Sequence, residues 1–201
     1  APLSVTVTAA AQDWAQRYLF TAAGDTKEWI AVQAGASDVM KAWRPEYFGR
    51  TLAHVSSQWA GGFVLIGTPA EQETIAQVLQ DYRAAGGQRP VLNAAGRTTL
   101  EQLVGLLAEC RLLLTNDTGP MHLAVGVGVP VIDLSVGHVD FRETGPYGHG
   151  HWVIQPELDC APCGFDQVCA HQTCKDRLPV RMVGDAVLHV LGKRPAPQPA
   201  P

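Results

Sequence analysis

The sequence lacks any long apolar run, although 46% of its 201 residues are hydrophobic. Glycines, a proline and an aspartate interrupt even the most apolar stretch, residues 124–134. A helix that spans a bilayer needs roughly 18 or more consecutive apolar residues. The sequence therefore predicts no transmembrane segment.

The sequence also lacks an excess of positive charge. Fifteen lysines and arginines oppose 19 aspartates and glutamates, and the basic residues form no cluster beyond the pair at 193–194. Proteins that bind nucleic acid need a basic surface, so we expect no nucleic-acid partner. The chain begins at Ala1 and lacks the regions of a signal peptide, as we expect of a processed protein or a piece of a longer one.

The body of the chain has the composition of a globular protein, with 17% charged residues and a mean hydropathy of +0.01. A chain of this length can bury a substantial core. We predict one domain over residues 1–193, with a disordered proline-rich tail over residues 194–201. No internal repeat is visible in the sequence.

Short apolar runs alternate with helical patterns along the chain. The predicted strands cover residues 29–32, 63–66, 90–92, 112–114 and 129–134. The predicted helices cover residues 9–22, 45–58, 69–85, 100–110, a short stretch from 120, and 183–190. Capping boxes, Thr68 to Glu71 and Thr98 to Glu101, precede two of these helices. Strands and helices in strict turn predict an α/β fold, a parallel sheet with helices on both faces.

Ligands of such sheets bind at the carboxyl ends of the strands. In the loop after the first strand, Gly35 and Ser37 would let backbone N–H groups approach an anion, and Lys41 would supply a charge for phosphate. A tight turn with a solvated lysine explains the same residues. In the loop after the second strand, Glu71 fits a helix cap or an acceptor for ribose hydroxyls, and the spacing alone favours the cap.

The loop after the fourth strand concentrates the most polar chemistry. Asp117, Thr118 and Gly119 precede a helix that carries His122 in its first turn. A helix cap and a buried histidine would explain these residues singly, but their combination at a strand end favours a binding site. The next loop, residues 135–150, is longer than a plain connection needs.

Five motifs in fixed order carry a resemblance to a known family. They are K-x-W-x-P (residues 41–45), G-x-P-x-E (67–71), A-G-x-T-T-L-E (95–101), T-N-D-T-G-P-M-H-L-A (115–124) and T-G-P-Y-G (144–148). Together they resemble the ADP-heptose:lipopolysaccharide heptosyltransferases of glycosyltransferase family 9, from about residue 29 to residue 174. The string from Asn116 to His122 is the most specific of them.

The resemblance implies a GT-B enzyme, whose first Rossmann-like domain binds the acceptor and whose second binds the nucleotide-sugar donor. This chain resembles the second domain only. The implied reaction is an inverting, metal-independent transfer of heptose from ADP-heptose to a lipopolysaccharide core or similar glycan acceptor, with no cofactor. The acidic catalytic base would lie in a missing N-terminal acceptor domain, so we expect this piece to be inactive alone. The implied location is cytoplasmic, peripheral at the inner membrane.

The same resemblance assigns roles to individual residues. Lys41 and Asp117 become catalytic residues that contact the donor diphosphate and the heptose, respectively, and Glu71 becomes a ligand of the ribose. The remaining residues would lie at or near the phosphates: Ser37, Thr118, Gly119 and His122. Ser135-Val136-Gly137-His138 stands where the family has a Phe-Gly-x-Thr turn, which leaves any sugar contacts of His138 and Asp140 unassigned.

Four of the five cysteines fall within 15 residues, in the pattern Cys160-x2-Cys163-x5-Cys169-x4-Cys174. The pattern is compatible with a structural zinc site, with disulfides in an oxidised protein, or with free thiols, and the sequence leaves all three open. Cys110 is interpreted as a small buried apolar residue.

Three other functions remain compatible with the sequence. One is a transferase or epimerase that uses another nucleotide sugar, and a second is a nucleotide-sugar binding module without catalysis. The third is a small zinc-stabilised interaction domain. The donor sugar, its base, the acceptor and the oligomeric state are not readable from the sequence.

Overall fold

A computed structural model describes residues 3–23, 26–163 and 169–192. The predicted tail, residues 194–201, lies outside this part of the chain. The strands are β1 (Trp29–Gln33), β2 (Gly62–Leu65), β3 (Val91–Asn93), β4 (Leu112–Asn116), β5 (Val131–Leu134) and β6 (Trp152–Ile154). The α-helices are α1 (Ala9–Ala23), α2 (Pro45–Ser56), α3 (Gln72–Ala84), α4 (Leu100–Ala108), α5 (Gly119–Gly126), α6 (Phe141–Thr144), α7 (Thr173–Asp176) and α8 (Val180–Val190).

The strands form one parallel sheet in the order β3-β2-β1-β4-β5-β6. Val32 of β1 pairs with Leu65 of β2 on one side and with Leu114 of β4 on the other. This is the strand order of the Rossmann fold, in which the chain reverses direction across the sheet between β1 and β4. The predicted α/β class is confirmed.

Two apolar cores lie on opposite faces of the sheet. Ile30 and Val32 point to the face covered by α2, α3 and α8, whereas Ala31 points to the face covered by α1, α4 and α5. Successive side chains of a strand point to opposite faces. Because helices cover both faces, the central strands are apolar at nearly every position, which explains the short unbroken runs in the sequence.

The predicted elements agree with the structure within a few residues, but three short elements, β6, α6 and α7, were not predicted, and one capping box was misplaced. Strand β6 follows a long loop that contains only the four-residue helix α6, so no alternation of strand and helix marks it in the sequence. The second capping box was placed one residue too early. Thr99, not Thr98, begins the helix, and its backbone N–H and side chain exchange hydrogen bonds of 2.9 and 3.2 Å with Gln102.

No helix in the described part of the chain is long and apolar enough to span a membrane. The longest, α1, has 15 residues and lies against α4.

Candidate functional site

Four loops at the carboxyl ends of β1 to β4 enclose a cavity of about 500 Å³. It lies where the strand order reverses, the position at which open α/β sheets bind ligands. Its wall comes from the loop after β1, the turn after β2, the segment between β3 and α4, and the start of α5. The lining residues are Gln33, Ala36, Ser37, Gly67, Thr68, Pro69, Glu71, Gly96, Thr98, Thr99, Leu100, Leu103, Thr118, Gly119 and Pro120.

Glu71 is held by hydrogen bonds on both carboxylate oxygens. Oε2 accepts from the backbone N–H of Thr68 at 2.6 Å and from its hydroxyl at 2.9 Å, and this completes the predicted capping box. Oε1 accepts from Nε2 of Gln33 at 3.0 Å. Glu71 is therefore a cap and a wall of the cavity at once, so the two interpretations of this residue do not exclude each other.

Gly35 leaves the space that Glu71 occupies. A Cβ atom at this position would lie 1.7 Å from Oε1 of Glu71. Gln33, the last residue of β1, reaches Glu71 past the carbonyl of Gly35. The small residue in the first loop thus admits a carboxylate from the neighbouring strand end, a use that its sequence context did not reveal.

Asn116 fastens the loop after β1 to the end of β4. Its Oδ1 accepts from the backbone N–H of Trp43 at 2.9 Å, and its Nδ2 donates to the carbonyl of Ala34 at 2.8 Å. The side chain is fully buried. Asn116 belongs to the motif at residues 115–124, but the sequence predicted no role for it. Its position as a polar residue at the end of a buried, largely apolar strand could have indicated such a role. Gln33 stands in the same position at the end of β1.

The start of α5 faces the cavity with an uncapped first turn. Thr118 is the N-cap residue, yet its side chain makes no capping hydrogen bond, and its hydroxyl lies 3.2 Å from that of Thr115. The N–H groups of a first helical turn have no partner within the helix, and they carry the positive end of its dipole. This end of α5 is suited to bind an anionic group.

Asp117 joins two of the motifs. It is 7% exposed, and its Oδ2 accepts a short hydrogen bond from the hydroxyl of Thr144, the first residue of the T-G-P-Y-G motif. Asp140 is the N-cap residue of the helix that carries Thr144, and its Oδ1 accepts from the backbone N–H of Arg142 at 3.0 Å. The long loop after β5 is therefore folded against the polar end of β4.

The predicted site residues divide into two groups. Ser37, Glu71, Thr118 and Gly119 line the cavity together. The others do not line it: Lys41, on the 3-10 turn Val39–Lys41, the mostly buried Asp117, and the exposed His122. The apolar residues Leu100 and Leu103 add a wall that the sequence did not identify, because helical spacing alone does not separate core from cavity.

Asp133 is a buried carboxyl that sequence reasoning did not single out. It is fully buried in β5, and neither of its oxygens has a hydrogen-bond partner in the described part of the structure. Burial first and the Asp117 carboxylate second raise the pKa of Asp133 to about 8. Asp133 consequently holds a proton at neutral pH, beneath the polar end of β4.

The clustered cysteines lie close together, and none forms a disulfide in the structure as described. Burial, and after it the thiols of Cys169, Cys174 and Cys160, raises the pKa of the Cys163 thiol. Among the described residues, no group of three or more histidine, cysteine or acidic side chains is arranged to hold a metal ion. Cys110 is buried as predicted, and burial raises the pKa of its thiol.

Comparison with known proteins decides the family. The sequence model of glycosyltransferase family 9 (heptosyltransferase) matches residues 2–174. The chain belongs to glycosyltransferase family 9. This agrees with the resemblance carried by the five motifs, and the parallel sheet described above is the Rossmann-like fold that the resemblance implies.

This family 9 chain is similar to several heptosyltransferases. It is 28% identical over 166 residues to lipooligosaccharide heptosyltransferase 2 of Campylobacter jejuni, covering 80% of this chain and 50% of that protein. The family 9 glycosyltransferase of Veillonella parvula superposes with a TM-score of 0.78 at 22% identity, covering 96% of this chain and 55% of the other. For the Escherichia coli ADP-heptose lipopolysaccharide heptosyltransferase II the TM-score is 0.74 at 19% identity, covering 94% and 54%. The chain spans about half the length of these relatives.

Proposed function

We propose that this family 9 chain is the donor-binding half of a heptosyltransferase that transfers heptose from ADP-heptose to a lipopolysaccharide core acceptor. One observation carries the proposal. The cavity at the reversal of the strand order is lined both by a fixed carboxylate, Glu71, and by the uncapped start of α5 at Thr118 and Gly119. A nucleoside diphosphate presents complementary groups, namely ribose hydroxyls and a charged diphosphate.

Each wall of the cavity has a task in this proposal. Glu71 accepts hydrogen bonds from the ribose, since a carboxylate held by three donors retains further acceptor capacity. The α5 N-terminus, with Ser37 and Thr118, binds the diphosphate. Leu100 and Leu103 offer an apolar surface to the base.

The proposed chemistry is an inverting displacement at the sugar. The acceptor hydroxyl attacks the anomeric carbon, the bond to the diphosphate breaks, and ADP leaves with the bonding electron pair. Lys41 and the helix dipole stabilise the negative charge that develops on the leaving diphosphate. The proposed transfer therefore requires neither a metal ion nor a cofactor to neutralise that charge. Asp117 contacts the heptose, and His122 lies one turn along α5 from the phosphates.

Removal of the proton from the acceptor hydroxyl is assigned to the other half of the enzyme. We propose that an N-terminal acceptor domain supplies an acidic base and the lipopolysaccharide site, so the present chain binds donor without turnover. The full enzyme would act in the cytoplasm, at the inner face of the inner membrane where its lipid-linked acceptor is held.

Calorimetric titration of this chain with ADP, and separately with UDP, tests the proposal. We expect saturable binding of ADP that is tighter than binding of UDP. Lys41→Ala should weaken the ADP complex by about tenfold, for the loss of a charge-assisted contact with the diphosphate. Lys27→Ala is the matched control, because this exposed lysine precedes β1 at the opposite edge of the sheet.

The outcomes separate the competing functions. A folded chain that binds neither nucleotide would contradict the proposal. Normal ADP binding, combined with no transfer from ADP-heptose by the full-length protein, would instead identify a nucleotide-sugar binding module without catalysis.

A further inference from the structure

The 3-10 turn that carries Lys41 has little internal support. It comprises only Val39–Lys41, and the Val39 side chain is 69% exposed. Asp38 stabilises the turn locally, because its Oδ1 accepts from the backbone N–H of Met40 at 2.8 Å. Hydrogen-bond geometry in 3-10 turns is poorer than in α-helices, so a fixed position for Lys41 requires contacts from outside the turn.

Lys175 supplies such contacts from a distant part of the chain. Its side chain is almost entirely buried, and Nζ donates to the carbonyl of Val39 at 2.7 Å. Its own carbonyl accepts from Nε1 of Trp43 at 2.8 Å. Lys175 therefore contacts the chain on both sides of Lys41: its Nζ binds the backbone of Val39, two residues before, and its carbonyl binds the side chain of Trp43, two residues after.

A second segment supports the turn from the loop after β5. A Cβ atom on Gly137 would lie 2.1 Å from the carbonyl oxygen of Met40, and the φ angle of Gly137 is +71°. Nε2 of the buried His138 lies 3.4 Å from Oδ2 of Asp38. Gly137 and His138, which depart from the family pattern, thus pack closely against this turn.

The surroundings of Lys175 make the hydrogen bond of its Nζ important for keeping the side chain buried. Burial first and the Arg44 guanidinium second lower the pKa of Lys175, while Asp38 and Asp176 oppose that shift. A buried ammonium is costly unless its hydrogens are bonded. Arg44 is itself engaged in a two-bond pair with Asp176, at 2.6 and 3.0 Å.

We infer that Lys175 is a positioning residue for Lys41, acting through the turn and not through the donor. The inference rests on the proposed function, in which Lys41 binds the donor diphosphate. Lys175 borders a separate cavity of about 330 Å³, which shares Ala36 and Glu71 with the donor cavity, and its Nζ donates to the carbonyl of Val39.

A double-mutant cycle in ADP binding tests this inference. Calorimetry would compare the wild-type chain with Lys175→Met, Lys41→Met and the double variant. We expect Lys175→Met to weaken ADP binding by about three- to tenfold, the range of one displaced charge-assisted contact. In the Lys41→Met background the same change should cost nothing further, because its effect passes through Lys41.

Asp38→Ala provides a second route if Lys175→Met does not fold. This substitution removes the hydrogen bond from the backbone of Met40 and the pairing with His138, both of which support the turn. Its effect on ADP binding should likewise disappear in the Lys41→Met background. Lys27→Met is the control for the loss of one positive charge, and the melting temperature of each variant reports its folding.

Each result decides a different point. Equal losses from Lys175→Met in both backgrounds, or no loss in either, would overturn the inference while the proposed function stands. No effect of Lys41→Met, or no ADP binding by the folded wild-type chain, would overturn the proposed function and the inference with it.

Discussion

Glu71 shows how one residue can serve the fold and the cavity together. Its Oε2 completes a capping box with Thr68, a structural task that the sequence predicted. Its Oε1 accepts a hydrogen bond from Nε2 of Gln33. Oε1 occupies space that is open only because Gly35 has no side chain. The position of the carboxylate is therefore fixed before any ligand binds, which reduces the entropy cost of recognising a ligand hydroxyl.

Gly35→Ala should remove this arrangement. The added Cβ would lie 1.7 Å from Oε1 of Glu71, so the carboxylate must move. We expect a loss of roughly 1–3 kcal/mol in the free energy of unfolding, as for other overpacked sites, and at least about tenfold weaker ADP binding. Chemical denaturation and calorimetry measure the two effects.

Gly119→Ala is the matched control for stability, because a Cβ there would meet no atom within 4 Å. Its free energy of unfolding should stay within about 0.5 kcal/mol of the wild-type value. Equal destabilisation by the two substitutions would show that the Gly35 site is not specially crowded.

Single residues also show where prediction of the site from sequence stops. Thr118 and Gly119 were predicted because strand ends in a parallel sheet converge on one edge, whereas Ser37 and Glu71 were assigned to ligand binding by the family resemblance; all four line the cavity. Long-range partners, such as the contact of Asn116 with Trp43 across 73 positions, depend on the register of strands that the sequence does not specify. The roles of those four lining residues toward a ligand, like those of Lys41, Asp117 and His122, stay predictions.

At the scale of elements, periodicity predicted the order and type of the long helices and the central strands. Five of the six strands of the described sheet were predicted. Four of them, β1, β2, β4 and β5, are buried on both faces and are therefore apolar runs, whereas β3 is half-buried. The short helices α6 and α7, with four residues each, have too few turns for a periodic pattern. Neighbouring threonines at the start of α4 made its first residue ambiguous.

That ambiguity gives a direct test at α4. Thr99 exchanges two hydrogen bonds with Gln102 as the N-cap residue, whereas Thr98 stands outside the helix. Thr99→Ala should lower the free energy of unfolding by about 1 kcal/mol, the usual cost of a lost N-cap. Thr98→Ala should change it by less than about 0.5 kcal/mol. Urea denaturation of both variants measures the difference, and a larger effect of Thr98→Ala would favour the register predicted from sequence.

At the scale of the whole molecule, the chain spans about half of its relatives and yet has complete cores on both faces of its sheet. Its cavity faces out from the carboxyl edge of β1 to β4. A second domain opposite that edge would close over a bound donor, which is the arrangement that the proposed transfer requires. Substrate-driven closure of two halves excludes water from the reacting groups.

The stability of the whole chain should depend on pH through Asp133. Its pKa is raised from an ordinary value of 3.8 to about 8 in the folded chain. Between these values the folded state retains a proton that the unfolded state releases, so stability falls as pH rises from about 4 to about 8. The expected contribution to the slope is at most about 1.4 kcal/mol per pH unit.

Asp133→Asn isolates this contribution, because the amide resembles the protonated carboxyl in size and cannot ionise. The difference in unfolding free energy between variant and wild type should shift in favour of the variant at each step from pH 5 to pH 8, and level off above pH 8. Urea denaturation at four pH values measures it. Parallel pH dependences would mean that Asp133 is ionised in the folded chain, so that its two unpartnered oxygens must be satisfied by water or by a cation.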